Sequence, residues 1–174
     1  MNSFYIIFEG LKLNILITVL SCIIPIAIGF VVTNLSKNNT ALFRPIKAFG
    51  YVFESFSPIL LIVVLFYCVF FHWNRMLLYV ISFTLAFMGY IPSKLQEEHS
   101  FIKDFAVNSV GLLSHAFKWS FCVRILGEME LLGFMTRNIQ KSYQTGIVWV
   151  GLIISFVIVF ALNMVKFILE ERLD

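Results

Sequence analysis

Apolar runs of about 20 residues leave a chain few choices of fold, because that is the length a helix needs to cross the hydrocarbon of a bilayer. The run 51–71 is one of several here, interrupted only by Glu54, Ser55, Ser57 and Pro58. Of 174 residues, 60% are hydrophobic and only 13% charged, and the mean hydropathy is +0.90. A soluble domain of this length could not bury that much apolar surface, so the solvent for most of the chain is lipid. Helices suit such runs, since a helix satisfies its backbone polar groups within itself. The expectation is a single all-α integral membrane domain over 1–174.

Divided at about 20 residues per crossing, the runs predict five spans, at 6–32, 48–71, 77–91, 105–126 and 146–169. The first carries Glu9 and Lys12 near its start, and the fourth is interrupted by His115, Lys118 and Arg124. A polar break is expected at 34–40, a tight hydrophilic turn at 72–75, and the most polar stretch at 92–104. The segment 128–145 is mixed and reads as extramembrane or re-entrant, and a charged tail closes the chain at 170–174. Five spans put the termini on opposite sides. Lys37, Arg44, Lys47, Lys94, Lys103, Lys166 and Arg172 then share the C-terminal side, against Lys12, Arg75, Lys118, Arg124, Arg137 and Lys141 on the other. The bias is mild and favours a cytoplasmic C-terminus and an N-terminus outside. Met1 to Tyr5 lack the positive charge of a signal peptide, so the first run is expected to be a retained span.

Several function classes fall away. The net charge of +3 is small and scattered, which does not argue for nucleic acid. Cys22, Cys68 and Cys122 lie far apart within apolar runs and have no zinc-ligand spacing. His72, His99 and His115 are isolated, so no metal is expected. Gly127 and Gly133 lack the Lys-Ser/Thr that completes a phosphate-binding loop, so any ATP hydrolysis belongs to another chain. No nucleophile stands beside a base, and neither enzyme chemistry nor a cofactor is expected.

The residues that carry most interest are polar ones in apolar surroundings. An ionised Glu54 inside a span costs a few kcal/mol unless paired or wetted. It reads either as part of a pathway, meeting the ammonium group of a solute, or as a structural partner of a Ser hydroxyl or basic residue. Pro58 removes a backbone donor and frees the carbonyl of Glu54, and Ser55 and Ser57 can satisfy groups so freed. A departure from straight helix is expected there. Lys118 and Arg124 are placed to snorkel to a headgroup layer, within reach of Glu128 and Glu130.

Taken in order, four segments resemble the permease subunit of polar amino-acid ABC importers of the histidine/glutamine/arginine type. Residues 10–21 are similar to that family's opening "G-L-x-x-T-L-x-L-T-L-x-S". Residues 51–60 resemble its "F-R-G-T-P-L-L", keeping Pro58 and the aliphatics after it. Residues 85–90 stand where the family has a small-residue stretch ending in Ala-Tyr. Residues 118–132 resemble "K-D-T-S-L-x-S-V-I-G-V-x-E-L", with Lys118, Ser120, Gly127, Glu130, Leu131 and Leu132 in register. The resemblance implies a type I importer fold with Glu54, Ser55, Ser57 and Pro58 on the substrate pathway. It places an outer-face segment at Lys118, Arg124, Gly127 and Glu130. It also implies a second permease subunit, a separate ATP-binding subunit, an extracytoplasmic solute-binding protein, and a bacterial cytoplasmic membrane as the site of work.

One family feature is reduced. The ATPase-docking loop with its "E-A-A-x-x-x-G" helix is shorter here by several helical turns. What corresponds to it is Lys94, Glu97 and Glu98, with Ala106 and Gly111 keeping the family's Ala and Gly spacing but no leading Glu, in a stretch that reads equally as part of the fourth span. The family Arg-Gly-Thr before the proline is Ser55-Phe56-Ser57. The importer subunit is therefore expected to contact its ATPase weakly or through its partner. The alternative is a degenerate permease-like protein that supports another permease without coupling to ATP hydrolysis itself. A projecting helix after Tyr90 favours the first, and a tight turn favours the second.

Overall fold

The computed structural model describes residues 3–66, 74–96, 100–121 and 146–173. Within them all regular structure is helical: α1 (Ser3–Asn38), α2 (Thr40–Glu54), α3 (Pro58–Val64), α4 (Arg75–Phe87), α5 (Tyr90–Ser93), α6 (Phe101–Ser120) and α7 (Gly146–Arg172). Among the described residues three stretches are long and apolar enough to cross a membrane, Ile7–Asn38, Arg75–Ser93 and Trp149–Arg172. A fourth crossing results if α2 and α3, bent by 64° at their junction, are one broken span. The predicted spans at 6–32, 77–91 and 146–169 thus fall on α1, α4–α5 and α7. The predicted fourth span falls on α6, which is not apolar enough to count among them, and its end at 122–126 lies outside the described residues. Lys103, Asp104 and Lys118 in α6 account for this shortfall.

Local chemistry explains where the predicted breaks moved. The polar stretch 34–40 is no loop: α1 runs on through it, with Asn38 Nδ2 donating to Asn34 Oδ1 one turn back at 3.1 Å. Asn39 alone stands between the helices, and its side chain accepts from the N–H of Ala41 to cap α2. The predicted span at 48–71 is divided for the same kind of reason. Helix α2 is amphipathic, and it lies against α5 and the end of α1 before the chain turns into α3.

Directions follow from paired residues. Asn14 Nδ2 of α1 donates to Ser120 Oγ of α6 at 2.7 Å, and Lys37 near the far end of α1 pairs with Asp104 near the start of α6, so these helices run antiparallel. Ser114 of α6 donates to Asn163 of α7 at 2.9 Å. Thr84 of α4 donates to the Ser21 carbonyl of α1, and Ile91 packs on Gly29, which makes α4–α5 parallel to α1. The core lies among α1, α3, α4 and α6, around Ile17, Ile62, Tyr79, Phe83, Phe87 and Leu112. Outward faces remain apolar: Phe156, Val157 and Phe160 of α7 are each more than half exposed, as suits a helix solvated by lipid.

Asn14 and Ser120 are fully buried, and the long-range bond between them ties the first half of α1 to the last residue of α6. Asn14→Leu is expected to lower thermal stability in detergent by about 1 kcal/mol, the usual net worth of such a bond. Because Ser120 also donates to the Phe117 carbonyl, Ser120→Ala loses both bonds and should cost at least as much. A melt unchanged in both variants would show that the bond carries no stability.

Candidate functional site

Glycine permits the close approach that builds the site. A Cβ on Gly89, between α4 and α5, would stand 2.2 Å from the Gly50 carbonyl oxygen of α2 and 2.7 Å from the Glu54 nitrogen. A Cβ on Gly50 would stand 2.4 Å from the Ser93 nitrogen. Backbone therefore meets backbone where α2 crosses the α4–α5 junction. That crossing brings Glu54, the last residue of α2, to Lys94, the first residue beyond α5. Their side chains form an ion pair at 3.0 Å, with Glu54 about one-third and Lys94 about one-half exposed.

Directly after Glu54 the helix breaks. Ser55 turns back on α2, its N–H and its hydroxyl both donating to the Tyr51 carbonyl, at 3.1 and 2.7 Å. Ser57 has extended backbone and serves as the N-cap of α3, whose first residue is Pro58. Pro is at home in a first helical turn, where its missing N–H has no partner to lose. Pro58 thus begins one helix where a straight reading of the run had it interrupt another. The departure from straight helix predicted near Pro58 is present, with the Ser55 hydroxyl bonded to main chain.

Glu54, Ser55, Ser57 and Pro58 line one cavity of about 280 Å³. Its other walls are aromatic: Phe56, Phe87, Tyr90, His115 and Trp119, with Ala86 between them. Phe87 meets His115 edge-on at 5.6 Å between centroids, and Tyr90 lies 5.4 Å from the same ring. Trp119 Nε1 donates to His115 Nε2 at 3.0 Å. An indole N–H only donates, so His115 Nε2 accepts, and the ring is neutral with its proton on Nδ1.

A second, larger cavity of about 460 Å³ opens where α5, α6 and the end of α7 meet, lined by Lys94, Gln96, Lys103, Asp104, Lys166 and Glu170 among others. Tyr90 lines both cavities. The Lys94 ammonium stands 6.0 Å from the Tyr90 ring centroid. The link from α5 to α6 is held down at this end. Leu95 is fully buried, the Gln96 N–H donates to Asp104 Oδ2 at 3.3 Å, and the Gln96 carbonyl accepts from Lys37.

Of the residues assigned to ATPase docking, Lys94 sits in this link and pairs with Glu54. Ala106 and Gly111 are inside α6, not in a loop, and Gly111 packs on the Tyr90 hydroxyl. Glu97 and Glu98 lie outside the described residues. In the outer-face segment Lys118 occupies the last turn of α6, while Arg124, Gly127 and Glu130 lie outside the described residues. Among the described residues no cluster of His, Cys, Asp or Glu could hold a metal ion. Sequence reasoning missed Tyr90, His115 and Trp119 as partners of Glu54. One signal was there to find: His115 and Trp119 are four apart, so they share a helix face. Nothing matches the chain in comparisons with family models, curated proteins or solved structures.

Proposed function

We propose that this chain is a transmembrane subunit of a bacterial ABC importer for polar amino acids, forming half of the pathway beside a second permease subunit. The observation that carries the reading is the broken α2–α3 helix, whose break residues Ser55 and Ser57 line a cavity together with the Glu54 carboxylate. Irregular backbone at membrane depth is tolerated only where it is buried in protein or lines a wet cavity, and transporters place solute sites at such breaks. The ordered resemblance of four segments supports the same class. On this reading α6 is counted as a crossing, which gives five, with the N-terminus outside and the C-terminus in the cytoplasm.

A second reading is favoured by the link between α5 and α6. Only residues 94–100 separate the two helices, and Leu95 and Gln96 are held against the bundle. A projecting helix with a return does not fit in seven residues at about 1.5 Å of rise each. The chain would then be a permease-like partner that leaves the grip on the ATPase to the other permease. In both readings the ATP-binding subunit is held mainly by that partner.

The test is co-purification with the neighbouring ATPase, with and without the second permease, together with uptake of arginine, glutamine and histidine by cells carrying Glu54→Gln. The expected result is ATPase recovery only when the second permease is present, with uptake lowered by Glu54→Gln. Tight ATPase binding by this chain alone, lost in Glu97→Ala/Glu98→Ala, would overturn the division of labour. Uptake untouched by Glu54→Gln but lost on removing the chain would favour the supporting role.

A further inference from the structure

Glu54 already holds an ammonium group, and that group belongs to the protein. Lys94 reaches it at 3.0 Å from a turn just beyond α5, on a side chain about half exposed. The cavity behind Glu54 has the lining that suits a cation. It combines one carboxylate with the rings of Phe56, Phe87, Tyr90 and Trp119, and a cation over an aromatic face is attracted by the ring quadrupole. The bond from Trp119 keeps His115 neutral, so no imidazolium competes for the space. Lys94 does not line this cavity. It lines the larger one on the far side of Tyr90, where the carboxylates of Asp104 and Glu170 also stand.

We propose that Glu54, with Tyr90 and Trp119, is a recognition site for a primary ammonium group, and that Lys94 is its tethered occupant when no solute is bound. A solute ammonium entering the 280 Å³ cavity takes the place of the Lys94 ammonium on Glu54. Lys94, about half exposed, then turns outward to water, since Asp104 and Glu170 of the larger cavity are already paired with Lys37 and Lys166. The exchange is one cation for another on one carboxylate, so no net charge is buried by binding, which is what makes it inexpensive in a poorly solvated place. The tether lowers apparent affinity by the fraction of time that Lys94 holds the site. It also keeps Glu54 paired while the cavity is empty.

This inference rests on the pathway reading for how a solute arrives, but binding itself requires neither partner nor ATPase. The full chain in phosphatidylcholine nanodiscs, with Trp73→Phe and Trp149→Phe so that Trp119 alone reports, is titrated with n-butylammonium chloride and with n-butanol at fixed ionic strength. The expected result is a saturable change in Trp119 emission with the amine and none with the alcohol. Lys94→Met is expected to tighten amine binding about tenfold by removing the competitor, and Glu54→Gln to abolish it. Equal response to the alcohol, or weaker amine binding in Lys94→Met, would overturn the proposal. Because Lys94→Met keeps the carboxylate, it decides the matter even where Glu54→Gln does not fold. Absence of amine binding alongside Glu54-dependent uptake sinks this site and leaves the importer reading standing. Saturable amine binding in a chain whose loss changes no uptake does the reverse.

Discussion

Gly89→Ala is expected to detach α2 from the α4–α5 junction. The new methyl would lie 2.2 Å from the Gly50 carbonyl oxygen and 2.7 Å from both the Glu54 nitrogen and the Phe53 Cβ. Two of these three atoms are backbone, so no side-chain rotation relieves the clash. The crossing must open by more than half an ångström, at a cost of about 3 kcal/mol, the upper part of the range for overpacked sites. The Glu54–Lys94 pair, which depends on that crossing, should be lost with it. Gly29→Ala is the control. Its nearest atoms all belong to the Ile91 side chain, Cδ1 at 2.5 Å and Cβ and Cγ2 at 3.0 Å, so the sharpest clash is with a side-chain end and none is with backbone. Thermal melts in detergent should rank Gly89→Ala well below Gly29→Ala. The opposite ranking would show that α2 does not sit on the junction by backbone contact.

The second large effect is expected at Asp104. Its side chain is 1% exposed, and its carboxylate meets Lys37 at 2.8 Å and the Gln96 N–H at 3.3 Å. Breaking a buried pair by removing one partner costs about 3–5 kcal/mol, because the remaining charge, here the mostly buried Lys37 ammonium, loses its counter-charge. Asp104→Ala should fall in that range in equilibrium unfolding. Lys37→Met combined with Asp104→Leu should recover most of the loss, since replacing both partners leaves no charge behind. A double variant as unstable as Asp104→Ala would mean that the carboxylate does not act mainly through Lys37.

Legibility in the sequence follows the range of the interaction. Helix identity and the placement of α1, α4–α5 and α7 could be read from apolar runs, because lipid solvation acts on each segment separately. The break at Ser55–Pro58 was readable too, since proline and serine act within one turn. Contacts between segments were not. That Glu54 would find Lys94, 40 positions away, depends on Gly50 and Gly89 meeting, and a glycine in a run of apolar residues does not announce its partner. The stretch 34–40 misled for a related reason. Asn34, Lys37 and Asn38 look like a loop by polarity, yet the Lys37 charge is taken up by Asp104 and the asparagines bond along the helix, so α1 continues. Tyr90, His115 and Trp119 are ordinary members of two separate helices until the fold sets them around one carboxylate.

The tie among Lys37, Gln96 and Asp104 has a mechanical consequence. It fastens the end of α1, the link after α5 and the start of α6 at one point, and the bond from Asn14 to Ser120 fastens α1 to α6 again near the other end. Helix α6, pinned to α1 near both of its own ends, moves with the stretch of α1 from Asn14 to Lys37 as one unit. Helix α2, by contrast, packs on the end of α1 and, through glycine backbone, on the α4–α5 junction, with one partly exposed ion pair, and it joins α3 through three non-helical residues. The molecule therefore divides into a frame and a lever, with the fulcrum at residues 55–57. Because residues 54–58 line the cavity, any shift of α2 against α3 changes the shape of its wall.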